Sequence, residues 1–155
     1  MAVGDQSGKQ MSNSILVLNG PNLNLLGTRQ PEIYGADTLA DVEQKCRSAV
    51  GDWGVIDFRQ SNYEGELVTW IQESRDNNSG ILINPAAYSH TSVAILDALN
   101  MFDGPVVEVH ISDIHQREEF RQFSYVSQRA DHIIVGKGVA GYVEGVQKLI
   151  TLIGS

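Results

Sequence analysis

A chain of 155 residues that is 42% hydrophobic carries enough apolar material to bury a core without disulfides or a structural metal. Its net charge of -8 offers no basic stripe to neutralise phosphates, which argues against nucleic acid as a partner. The single cysteine, Cys46, cannot form an internal disulfide, which suits a reducing compartment and a cytoplasmic protein.

Residues 1–13, "MAVGDQSGKQMSN", show neither periodicity nor an apolar stretch, and read as a disordered tail rather than a signal peptide or a membrane span. From residue 14 to 155 the pattern is that of one domain. Strand-like apolar runs occur at 14–19 (SILVLN), 55–58 (VIDF), 80–84 (GILIN), 106–111 (VVEVHI) and 132–136 (HIIVG). Helix-length amphipathic stretches near 38–50, 64–77, 90–101, 115–122 and 139–153 alternate with them. Such β-α alternation predicts an α/β fold, an open parallel five-stranded sheet with helices on both faces and the flavodoxin-like order 2-1-3-4-5.

In that order a ligand binds beyond the carboxyl ends of the strands where the winding reverses, between strands 1 and 3. Three unusually polar stretches fall there: "NGPNLNLLGTRQPEIYG" after strand 1, "NPAAYSHTS" after strand 3 and "HISDIHQREEFR" after strand 4. In the first, Arg29 beside Tyr34 favours the phenolate, and Gly27, Pro31 and Gly35 suit a loop that closes as a lid. In the second, Asn84 ends a strand, and Ser89 or Thr91 is the expected cap of a helix whose amides would suit an anion or hydroxyls, with His90 as a further contact. In the third, Glu108, His110 and Ser112 share parity on a strand, so the carboxylate can orient the imidazole and favour the protonated form a general acid needs. Arg117 and Arg121, four apart, would share one side of a helix with Glu118 and Glu119 turned elsewhere. Arginines concentrated in an acidic chain imply a small anionic or hydroxyl-rich substrate.

The four histidines lack metal-binding spacing and no cysteine pair supports them, so no metal is expected. "GKGVAG" at 136–141 matches G-x-G-x-x-G, but it follows the last strand and leaves too little chain for an acidic ribose ligand. It reads as a tight turn opening a helix.

The segments "LNGPNLNLLGTRQPEIYG", "QSNYEGELVTWIQES", "INPAAYSHTSVAILDAL" and "VEVHISDIHQREEFRQFSYVS" together resemble the type II 3-dehydroquinate dehydratases, from about Ile15 to Leu152. The resemblance implies a single catalytic domain that needs no cofactor and removes water from 3-dehydroquinate, in anti geometry through an enolate, to give 3-dehydroshikimate in the shikimate pathway. It implies Tyr34 as the base at C2, with Arg29 on the lid and Arg117 lowering its pKa. Asn22 would stabilise the enolate through a water, and His110, supported by Glu108, would protonate the departing hydroxyl. Asn84 and the amides of Ile111 and Ser112 would hold the substrate carboxylate, and His90 and Arg121 the ring hydroxyls. Asp97 would reach a neighbour's site in a homo-oligomer, a dodecamer built as a tetramer of trimers. Against the family pattern, Gln30 stands where Glu is usual, Tyr63 where His is common, Ala86 where Gly is common and Asp113 where Asn is usual.

No lysine falls in the three polar stretches, which disfavours a Schiff-base route. A receiver module would need an acidic pair after strand 1 and an aspartate ending strand 3, where this chain has Asn19 and Asn84. A flavin carrier would need a hydroxyl-rich phosphate loop, which "GPNLNLLG" does not provide.

Overall fold

The computed structural model describes residues 13–28 and 31–154, without the side chains of Ile33 and Tyr34. Five strands, β1 (Ser14–Asn19), β2 (Val55–Gln60), β3 (Gly80–Asn84), β4 (Val106–His110) and β5 (His132–Val135), form one sheet in the order β2-β1-β3-β4-β5. Every pairing is parallel, as β-α alternation requires. The helices are α1 (Pro31–Tyr34), α2 (Leu39–Val50), α3 (Glu64–Asn77), α4 (Val93–Asn100) and α5 (Ala140–Gly154).

Because β1 and β3 are buried on both faces, their side chains alternate between two apolar layers. Ile15, Val17, Leu82, Val107 and Val109 pack with Val42 and Cys46 of α2 and with Tyr142, Val146 and Leu149 of α5. Leu16, Leu18, Ile81, Ile83 and Val106 pack with Leu67 and Ile71 of α3 and Ile95 and Leu99 of α4. Burial pushes the Cys46 thiol up to about 12, so it is a packed apolar group rather than a nucleophile. Asn13, assigned to the tail from sequence, is tied down by its Nδ2 donating to the Trp53 carbonyl at 3.0 Å; residues 1–12 of that tail lie outside the described residues.

Two helix boundaries follow local capping chemistry. Thr38 and Asp41 form a reciprocal capping box at the start of α2. At α4 the cap is Ser92, whose Oγ accepts from the Ile95 amide at 2.9 Å, and not Ser89 or Thr91. The reason is that Ala86–His90 forms its own 3₁₀ turn, which buries Ser89 completely and ends at Thr91 before the α-helix begins.

The stretch 115–122 is not an α-helix either. It forms two 3₁₀ turns, Ile114–Gln116 and Glu119–Arg121, with Arg117 and Glu118 extended between them. Asp113 caps the first turn by accepting from the His115 amide at 3.0 Å, and the next residues cannot propagate a turn this short. The "GKGVAG" segment is the β5-α5 turn: Gly136 and Gly138 have φ of 75° and 62°, and Gly141 packs against Val109 and Ile134.

Candidate active site

Strand register places Asn19 opposite both Gln60 and Asn84, a polar row at the carboxyl edge of the sheet. Beyond that edge lies a cleft of about 180 Å³ at the point where the winding reverses. Asn22, Asn84, His90, His110, Ile111, Ser112, Arg117 and Arg121 all line it, gathered from the three polar stretches of the sequence. Leu23, Leu25, Leu26, Ala86, Ala87 and Ile114 supply an apolar wall that the motifs did not disclose.

His110 and Glu108 stand on the same side of β4, and His110 Nε2 lies 2.5 Å from Glu108 Oε2. Glu108 is fully buried, an expensive place for a carboxylate unless every lone pair is used. Here Ser124 Oγ donates to Oε2 at 2.6 Å and Ser127 Oγ to Oε1 at 2.6 Å. Burial pushes the carboxyl upward, but the donors His110, Ser124 and Ser127 prevail and hold it below its ordinary range. Glu108 is therefore ionised, and it fixes the imidazole with Nε2–H toward itself, leaving Nδ1 as the nitrogen not engaged by the carboxylate. The two serines were not singled out from sequence, although their spacing of three is the signal that could have found them.

His90 is fixed in the same manner. Its Nδ1 lies 2.8 Å from the Phe123 carbonyl, which can only accept, so in the neutral ring Nε2 is the acceptor available to the cleft. Arg117 Nη1 donates to Ser112 Oγ at 3.2 Å. Glu118 is not turned away from the arginines, as a helix would have it. The extended backbone swings its carboxylate between them, 3.0 Å from Arg121 Nε and 3.8 Å from Arg117 Nε, and a hydrogen bond from its own backbone, followed by those two cations, holds it below its usual range.

On the β1 side, Asn22 adopts a left-handed backbone, φ 70°, and its amide donates to Asn62 Oδ1 at 2.9 Å. Asn62 also accepts from Gln60 through Oδ1 and from the Tyr88 hydroxyl through its carbonyl, joining three loops at the rim. Asn84 is 4% exposed, and its Nδ2 donates to the hydroxyl of Tyr142 on α5 at 2.9 Å. Neither Asn62 nor Tyr142 was singled out from sequence. For Tyr142 the available signal was its place on the buried stripe with Val146 and Leu149, since a phenol there must find a polar partner.

Four predicted residues do not line the described cleft, and the first of them, Glu108, is fully buried on β4 and reaches it only through its bond to His110. Arg29 lies outside the described residues, and so does the side chain of Tyr34, whose backbone ends α1. Asp97 is exposed on α4 and does not line the cleft. The loop that carries Arg29 and Tyr34 is closed at its base, because a Cβ on Gly27 would stand 2.8 Å from the Asp37 carbonyl oxygen and 2.9 Å from that of Ala36. Asp113 lines a separate hollow with Asp37, Gly136 and Gly138 rather than the cleft itself. Among the described residues no group of three His, Cys, Asp or Glu side chains could hold a metal ion.

A parallel sheet of this order with its polar residues gathered at the switch point is compatible with many chemistries, so the comparison with known proteins decides the family. Residues 13–150 match the model of class II dehydroquinases. The chain belongs to that family. Among curated relatives, it is 69% identical over 143 residues to the 3-dehydroquinate dehydratase of Streptomyces coelicolor, covering 91% of each chain. It is 57% identical over 143 residues to that of Cereibacter sphaeroides, covering 92% of this chain and 97% of the relative. Among solved structures, the type II dehydroquinase of Propionibacterium acnes superposes with a TM-score of 0.86 at 42% identity, over 90% of this chain and 97% of that one. A dehydroquinase family member with this sheet order carries the flavodoxin-like fold expected from the strand pattern.

Proposed function

We propose that this dehydroquinase family member is a hydro-lyase that converts 3-dehydroquinate to 3-dehydroshikimate. The observation that carries the reading is the buried Glu108–His110 pair opening onto a cleft that Asn84, His90, Arg117 and Arg121 also line. The substrate carboxylate sits against Asn84 and the amides of Ile111 and Ser112, while His90 Nε2 and Arg121 engage ring hydroxyls. Tyr34, as phenolate beside Arg29 and Arg117, takes the C2 proton, and charge moves onto the C3 oxygen as an enolate. Asn22 steadies that oxygen through a water, a fixed donor placed where charge develops. The enolate then collapses, the C1–O bond breaks, and His110 delivers a proton so that hydroxide leaves as water from the opposite face. The C1=C2 double bond formed is conjugated with the ketone. Glu108 holds His110 in place for that transfer and offsets its charge.

The same reading places the reaction in the shikimate route to aromatic amino acids, in the cytoplasm. It also makes the functional unit a dodecamer, a tetramer of trimers in which Asp97 reaches a neighbour's cleft. Support for association comes from Val93, Met101, Phe120 and Phe123, large apolar side chains that are about half exposed. Sedimentation measures it directly: a monomer at working concentration overturns the assembly.

The reaction is tested by following the ultraviolet absorbance of the conjugated enone carboxylate with wild type and Tyr34→Phe. Turnover by wild type that is lost by at least about a thousandfold in the variant is expected, since only the base is removed. Undiminished turnover in the variant places the base elsewhere, and none in wild type refutes the dehydratase.

A further inference from the structure

Tyr142 is fully buried on α5 and takes no step in the elimination, yet it sits between two asparagines at the carboxyl ends of β1 and β3. Its hydroxyl donates to Asn19 Oδ1 at 2.7 Å and accepts from Asn84 Nδ2 at 2.9 Å. Burial drives the phenol well above its ordinary range, so it remains a neutral group with one proton to give.

The direction of this chain of bonds is fixed at both ends by backbone groups that cannot reverse. Asn19 Nδ2 donates to the Arg59 carbonyl at 3.0 Å, which forces Oδ1 of Asn19 toward Tyr142. The phenol must then donate to Asn19 and can only accept from Asn84. At the other end the Ala86 amide donates to Asn84 Oδ1 at 3.1 Å. With one hydrogen of Nδ2 engaged by the phenol and Oδ1 turned to the Ala86 amide, the second Nδ2 hydrogen is the donor that the Asn84 side chain has left to offer. Asn84 lines the cleft, so that hydrogen makes its corner a donor corner.

We propose that Tyr142 is a positioning residue that sets the orientation of the Asn84 amide, so that the cleft presents a donor there and selects a carboxylate. The inference rests on the dehydratase reading for its substrate, but the orientation of Asn84 is measurable without turnover. Removing the hydroxyl leaves one Nδ2 hydrogen without its buried partner and the amide held by the Ala86 bond alone, which loosens its orientation and weakens ground-state binding more than the chemical step.

The test is a double-mutant cycle of Tyr142→Phe and Asn84→Ala with 3-dehydroquinate, together with the side-chain amide resonances of the ¹⁵N-labelled proteins. Tyr142→Phe is expected to raise KM about tenfold with kcat within about threefold, and to have no further effect on KM once Asn84 is alanine. The Asn84 amide pair, resolved and slowly exchanging in wild type, is expected to shift and exchange faster in Tyr142→Phe. Additive KM effects, a loss confined to kcat or an unmoved amide pair each overturn the proposal. Should Tyr142→Phe not fold, Asn19→Ala removes the acceptor instead, and an unchanged KM and amide pair there overturn it equally. Absence of turnover in wild type strikes the dehydratase reading, while the amide resonances still decide the role of Tyr142.

Discussion

The cleft has two sides built on different principles. Its floor, Asn84 and His110 at the ends of β3 and β4, is buried; Asn84 is held by Tyr142 of α5, and His110 by its strand neighbour Glu108, which Ser124 and Ser127 hold in turn. Its rim, Arg121 on a short 3₁₀ turn and Arg117 on the extended backbone before it, is partly exposed, and both arginines pair with the exposed Glu118. A buried polar group must be fully satisfied to exist at all, so the floor couples chemistry to stability. Exposed ion pairs contribute little to folding, so the rim can be changed with only binding affected.

The strongest way to break this contrast is Glu108→Gln. The amide keeps the shape but brings two N–H groups to a site already crowded with the donors His110, Ser124 and Ser127. Turnover is expected to fall by at least about a hundredfold and stability by about 2–4 kcal/mol, measured by the enone assay and urea unfolding. A stability loss with kcat intact would mean that the pair is structural only.

The pH dependence sharpens the same point. Glu108 titrates lower folded than unfolded, so its contribution is fully present above the unfolded value, about 4.3, and is lost as pH falls through the folded one. Wild type is expected to lose melting temperature below about pH 4.3 more steeply than Glu108→Gln. Parallel curves would show that Glu108 carries no linked proton.

On the rim, Arg121→Ala is expected to raise KM about tenfold while the thermal midpoint stays where it was, because only one charge-assisted contact to substrate is removed. A large drop in the midpoint would erase the distinction between rim and floor. The smallest effect concerns Ala86, whose φ of 53° lies in the left-handed region that favours glycine. Ala86→Gly relieves about 1 kcal/mol of backbone strain, partly offset by glycine's entropy, and calorimetry is expected to show a midpoint up to about 4 °C higher. A lower midpoint would show that the alanine methyl packs well enough to outweigh the strain.

Much of the architecture was legible because strands and helices announce themselves by period. The limits of α3 agree with the sequence reading at both ends, and β1 and β3 with theirs, since continuous apolar runs bounded by polar residues leave little choice. The 115–122 stretch failed because i,i+4 spacing says which residues would align on a helix but not whether a helix forms. There, an aspartate cap and a cleft-facing backbone favoured short turns. Both arginines nonetheless face the cleft, for a reason other than helical spacing.

The sequence by itself determined the strands, the three polar stretches that follow them and the Glu108–His110 pair, because each depends on local spacing or on parity along one strand; the order 2-1-3-4-5 was an expectation that the pairing of distant strands realised. Only the tertiary structure decided what surrounds them: Ser124 and Ser127 on Glu108, the Phe123 carbonyl on His90, Asn62 under Asn22 and Tyr142 between Asn19 and Asn84. Among these, Tyr142 lies 123 residues from Asn19 in the chain. No period or motif relates such positions; they meet because a buried donor or acceptor must be satisfied by whatever the packed chain brings within reach.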